Sequence, residues 1–167
     1  MLKSLKALTL AAALVGAGTG AWADAADDCE KSNDWPVKIR GCTDVIAKQP
    51  RAAWAYINRS FAYERSQQYQ SALADGHKAV QLDAKHPMAY VNRAAAHIGL
   101  EDYNSAIVDT NRALKLDQGN ALAFVNRAYA HEKLGHTDLA IADYRRTLEL
   151  DPNKQYAKDA LKRLGAP

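Results

Sequence analysis

Along residues 53–154 the apolar positions recur at helical spacing, in blocks separated by short polar turns such as Ser66-Gln67-Gln68 and Gly135-His136. The first two blocks predict amphipathic helices over residues 52–65 and 69–82. Shifting the chain by 34 residues lays three segments on one another: 53–86, 87–120 and 121–154. The second and third agree at 15 positions and the first and second at 12. Unrelated segments of that length agree at about two or three. The pattern is therefore a repeat of helix-turn-helix units, not a by-product of alanine content.

The columns of the repeat show how each unit is built. Tyr56, Tyr90 and Phe124 share one large position, and Ser60, Ala94 and Ala128 share a small one. Ala72, Ala106 and Ala140 form a second small column on the following helix. Two helices that cross closely leave no room for longer side chains at such positions, so the large column fills the adjacent holes. Pro87 and Pro152 fall between units, where a proline stops or starts a helix without losing an interior hydrogen bond.

The flanks read as caps. Residues 155–164 predict one helix with Tyr156, Ala160, Leu161 and Leu164 on a single face, suited to cover the last unit. Residues 37–48 predict the second helix of a degenerate unit spanning 24–50, with Ile39, Cys42, Val45 and Ile46 inward and a short partner around 25–31. Ahead of it, Met1 to Ala23 carries Lys3 and Lys6, an apolar stretch from Ala7 to Gly18, and Ala21-Trp22-Ala23 before Asp24. That order is the pattern of a secretory signal peptide, and its apolar part is too short to stay in a bilayer. The expected mature protein is periplasmic or released, with no membrane-spanning segment.

Composition and charge narrow the picture further. Alanine supplies 33 of 167 residues and aromatics only 8%. Such a chain is neither a disordered tail nor a β-sandwich. The formal charge of +3 loses two lysines with the leader, leaving 20 basic against 19 acidic residues. A nearly neutral solenoid offers nothing to nucleic acid or anionic lipid. Cys29 and Cys42 are the only cysteines. In an exported chain the default is a disulfide, worth about 3 kcal/mol for so short a loop, with two free thiols as the alternative.

With its 34-residue period, small-residue columns and a terminal Leu148-Glu149-Leu150-Asp151-Pro152, the chain resembles the tetratricopeptide repeat family. The likeness covers residues 53–154 and is fullest in the third unit, through Asn126-Arg127-Ala128, Leu134-Gly135 and Ala140-Ile141. It implies an all-α fold, a right-handed α-solenoid of three repeats with N- and C-terminal capping helices. Gly76 and Thr110 stand where the family usually places an aromatic, and Thr137 replaces the tyrosine of Tyr69 and Tyr103. The second helices of the first two units are expected to be less well filled.

The family includes chaperone adaptors that grip a terminal carboxylate with asparagines, lysine and arginine. Asn58 and Asn92 match the asparagine positions, whereas Asn126 stands where the arginine would fall. The other concave positions are Trp54, Ile57, Phe61, Met88, Val91, Leu122, Val125 and Tyr129. Together they spell an apolar groove with an amide stripe, suited to a peptide segment of a protein partner. The asparagines have an alternative role, hydrogen bonding to neighbouring helices. Arg59, Arg93 and Arg127 each precede an aspartate by 16 residues, Asp75, Asp109 and Asp143, and read as structural ion pairs within a unit.

Candidate chemistry ends there. His97 and His131 share a column with Tyr63 and read as helix-contact positions, and His77, His86 and His136 fall in unrelated columns. No histidine pair has metal-ligand spacing, and no phosphate loop or activated nucleophile occurs. The sequence predicts a noncatalytic interaction module without metal or cofactor, with self-association through exposed repeat faces as the other reading.

Overall fold

In the computed structural model the described residues are 17–166, with side-chain surroundings described from Ala21 onward, and among them nine helices follow in order. They are α1 (Ala17–Lys31), α2 (Trp35–Lys48), α3 (Ala53–Arg65), α4 (Tyr69–Leu82), α5 (Pro87–Gly99), α6 (Tyr103–Leu116), α7 (Ala121–Lys133), α8 (Thr137–Leu150) and α9 (Gln155–Arg163). Each helix packs on the next, and α3 also touches α5 as α5 touches α7. The result is an all-α solenoid in which the first helices of successive pairs form one wall.

The small columns sit where helices cross. Ala94, Ala128, Ala72, Ala106 and Ala140 are fully buried, as is Ser60, whose hydroxyl donates to Ala72 O at 2.8 Å. Tyr56 and Tyr90 fill the spaces beside them and donate their hydroxyls to Pro50 O and Ala84 O in the preceding connections. In the third unit Tyr144 is fully buried and donates to Glu132 at 2.8 Å. Gly76, at the matching place in the first unit, leaves no hole. A Cβ there would lie 2.9 Å from Arg93 Cβ, so glycine lets α5 approach until the arginine stem occupies the space. Thr110 is also fully buried, its hydroxyl turned back to Ala106 O at 2.9 Å. The expected underfilling is thus corrected at both positions.

The N-terminal pair also differs from expectation. The partner of α2 is a helix of 15 residues running unbroken through Ala23 and Asp24, while Met1–Gly16, most of the expected leader, lies outside the described residues. Cys29 and Cys42 are disulfide-bonded across α1 and α2, with Cα atoms 4.5 Å apart. Around them Val45 and Ala55 are buried, and Trp22 and Ile46 pack against the same cluster. Lys38 is buried beside the bond, and its Nζ donates to Cys29 O and Glu30 O at 3.0 Å each. A lysine thereby satisfies carbonyls that the end of α1 leaves without helical partners. Burial holds the Lys38 ammonium below its ordinary range.

Between the helices of each of the three repeats the chain turns through a left-handed residue, and the three fall in one column of the repeat. They are Gln67 (φ 59°), Glu101 (φ 62°) and Gly135 (φ 76°). Only the third unit uses glycine, which carries no Cβ penalty there. Replacing Glu101 with Gly is expected to raise stability by up to about 1 kcal/mol, since the strain relieved exceeds the added freedom of the unfolded chain. Thermal unfolding checks it. A lower midpoint for Glu101→Gly would mean that unfolded-state entropy outweighs the strain.

Candidate functional site

The wall formed by α3, α5 and α7 carries one continuous groove. Its first hollow, about 620 Å³, is lined by Glu30, Trp54, Ile57, Asn58, Phe61, His86, Met88, Asn92 and Leu122. A second, about 540 Å³, is lined by Glu64, Arg65, Ala95, Ile98, Leu122, Val125, Asn126, Tyr129, Lys154 and Tyr156. A narrower space of about 170 Å³ joins them over Val91 and Ala95. Helical spacing explains why these side chains meet. Trp54, Ile57, Asn58 and Phe61 lie three or four residues apart on α3, and the repeat copies that stripe onto α5 and α7.

Exposure divides the sequence-derived residues into two sets. Trp54, Phe61 and Leu122 are about two-fifths exposed, large apolar side chains open to solvent. Ile57, Val91 and Val125 are buried and form the groove floor. Two amides of the row are also part of the scaffold, whereas Asn58 lines the first hollow. Asn92, buried, donates its Nδ2 to Ile57 O at 2.9 Å, and Asn126 donates to Val91 O at 3.4 Å. Each of these two amides ties a first helix to the one before it, which commits one of its N–H groups to the scaffold.

Aromatic rings close both ends. Trp35 of α2 meets Phe61 edge to face, ring centroids 5.6 Å apart, and the Arg65 guanidinium lies 5.9 Å from the Trp35 ring. At the other end Tyr129 stacks between Tyr103 and Tyr156, with centroids 6.4 and 6.2 Å away. Tyr156 of α9 meets the last repeat as its sequence face suggested, through Tyr129 and Tyr144 with centroids 6.2 and 6.1 Å away, while its other side is open to solvent and lines the second hollow. Midway, Ala95 occupies the column of Phe61 and Tyr129, and its short side chain opens the second hollow.

Sequence reasoning missed Trp35, Glu30, Glu64, Arg65, His86, Ala95 and Lys154. The repeat period would have placed Glu64 and Ala95 on the groove face, because both continue the stripe of Phe61 on α3 and α5. Glu64 is partly buried, and that burial holds its carboxyl above the ordinary glutamate range, against the opposing charge of Arg65. His86 turns a buried Nδ1 toward no partner among the described residues.

The arginine columns lie away from the groove. Each guanidinium pairs in two-pronged fashion with its aspartate: Arg59 with Asp75 at 2.7 and 2.9 Å, Arg93 with Asp109 at 2.7 and 2.6 Å, Arg127 with Asp143 at 2.7 and 2.8 Å. The remaining nitrogen reaches back 16 residues to Thr43, His77 or Asn111 on the preceding unit, at 2.6–3.2 Å. One side chain thus clamps three helices. Among the described residues no three histidine, cysteine or acidic side chains gather as a metal site, and no helix is long and apolar enough to cross a membrane.

Two tetratricopeptide repeat profiles match the chain, over residues 89–120 and 121–154. The chain is similar to the Arabidopsis OM64 TPR domain at 32% identity and TM-score 0.65, over 68% of this chain and 93% of that one. It is also similar to the first TPR of Spaghetti (RPAP3) bound to the HSP90 peptide SRMEEVD, at 28% identity and TM-score 0.65, over 68% and 90%. MamA protein shares the fold at 22% identity and TM-score 0.72, over 86% of this chain and 78% of that one.

Proposed function

The chain belongs to the tetratricopeptide repeat family, and from that membership we propose that it is a noncatalytic adaptor of the cell envelope, holding a segment of a partner protein in the groove of α3, α5 and α7. Membership of the family makes the chain a protein-interaction module. One observation carries the choice of this groove: Trp54, Phe61 and Leu122 stand exposed around a single hollow. Exposed apolar residues scattered singly need no explanation, but a cluster lining a groove marks a surface that another apolar group covers. A relative whose solved structure holds a peptide supports the same class. The Cys29–Cys42 bond and the leader pattern support export, with the periplasm as the proposed compartment.

The test uses peptides selected by phage display on the wild-type protein. A Phe61→Asp/Leu122→Asp variant is expected to bind them at least about tenfold more weakly, since each substitution places a charge where an apolar side chain docks. Both positions are partly solvated, so unfolding should shift by only about 1–2 kcal/mol. Selected peptides that bind variant and wild type equally, by calorimetry, would remove the groove as the binding surface.

A further inference from the structure

The groove holds a charged group placed against its own surroundings. Glu64 sits in the last turn of α3, where the helix dipole disfavours a carboxylate. It lies among Phe61, Ala95 and Leu122 in the narrow part of the groove. Its charged neighbours are engaged elsewhere: Arg65 lies over the Trp35 ring, and Lys154 is 3.8 Å from Asp151. Among the described residues no cation or hydrogen-bond donor lies within bonding range of the Glu64 carboxylate. A half-buried acid at the wrong end of a helix, without a partner, costs the free protein stability that an incoming cation would restore.

We propose that Glu64 receives a lysine or arginine of the bound segment, the aliphatic stem lying on Phe61 and Leu122 while the cation meets the carboxylate. This deepens the groove reading and rests on it. Long basic side chains are built for such a place, apolar along the stem and charged at the tip. Glu30, on the rim of the first hollow, adds a second negative group on the same face. The segment that fits is amphipathic and sets one basic residue at Glu64, beside a second hollow whose rim also carries Arg65 and Lys154. The raised carboxyl range of Glu64 agrees, because a bound cation would favour the ionised form that burial opposes.

Fluorescence anisotropy with a synthetic series separates the outcomes. The peptides share one apolar, amphipathic frame and differ only at a central lysine, arginine, norleucine or glutamate. The lysine and arginine peptides are expected to bind about tenfold tighter than the norleucine peptide, the value of one desolvated charge-assisted bond. Glu64→Gln should level the series, and Glu64→Lys should turn the preference toward glutamate. Neither variant removes a hydrogen bond or close ion pair of the fold, and Glu64→Gln should unfold at or above the wild-type midpoint. Equal binding of lysine and norleucine peptides, or a preference that survives Glu64→Gln, overturns the role of Glu64 and leaves the groove standing. Failure of every peptide in the series to bind, together with display-selected peptides indifferent to Phe61→Asp/Leu122→Asp, overturns both.

Discussion

An Arg93→Ala protein is expected to unfold with about 3–5 kcal/mol less stability than wild type, the range seen when one partner of a buried ion pair is removed. The pair qualifies, because the Asp109 side chain is only 5% exposed and the Arg93 side chain 17%. Truncation leaves the carboxylate facing His97 Nε2 at 3.9 Å in place of a two-pronged guanidinium. It also withdraws the stem that lies against Gly76 and the nitrogen that reaches His77. For a chain of this length the thermal midpoint should fall by about 6–20 °C. Urea unfolding measures the loss, and Asp109→Asn in the Arg93→Ala background should recover part of it by removing the stranded charge. A loss below about 1 kcal/mol would class the pair with exposed surface bridges. Arg127→Ala should cost less, since its side chain is 23% and that of Asp143 10% exposed.

These clamps show what a repeat makes legible and what it hides. The 34-residue period fixes which residues are equivalent, so paired helices, the small columns and the groove stripe all follow from a single alignment of the chain with itself. Equivalence does not say who shares a partner. The arginine's second reach, to Thr43, His77 and Asn111, also has the period of 34, but three dissimilar residue types leave no visible column. Gly76 looked like a gap in the repeat, whereas a missing side chain on one helix is filled by Arg93 of the next. The asparagine row is conspicuous in sequence as an amide ladder. In space, its N–H groups at Asn92 and Asn126 bind helices to one another, because a first helix stacked on its neighbour places that column against a backbone carbonyl.

The ends of the chain were hardest to read, because no period constrains them. A stretch of Ala, Asp and Cys gives little apolar pattern, and the strength of α1 lies in contacts that composition does not show. The Lys38 ammonium on the last carbonyls of α1, the Trp22 ring within 5.2 Å of the Lys48 ammonium, and the disulfide each hold it by a different interaction. At the other end Arg163 of α9 donates to Glu132 at 2.8–3.0 Å, and Glu132 also accepts from Tyr144, so a polar lock fastens the cap.

Reducing the Cys29–Cys42 bond is expected to lower stability by about 3 kcal/mol, the chain-entropy value for a closed loop of this size. The loss should appear first at the N-terminal end. In a solenoid each element is held only by its neighbours, and α1 has α2 and the edge of α3 to rest on. Reduction loosens α1, opens the cluster of Val45 and Ala55, and frees the carbonyls that Lys38 caps. Hydrogen exchange should therefore accelerate in α1 and α2 while α5 to α8 keep their protection. Urea unfolding should show an early transition ahead of the main one. A single transition at the oxidised midpoint would mean that packing alone holds the end. The proposed cleavage after Ala23 would sharpen the result, because it would remove Trp22 from the same cluster. Measured on chains beginning at Met1 and at Asp24, the shorter one should lose more on reduction, since it has fewer apolar contacts to replace the bond.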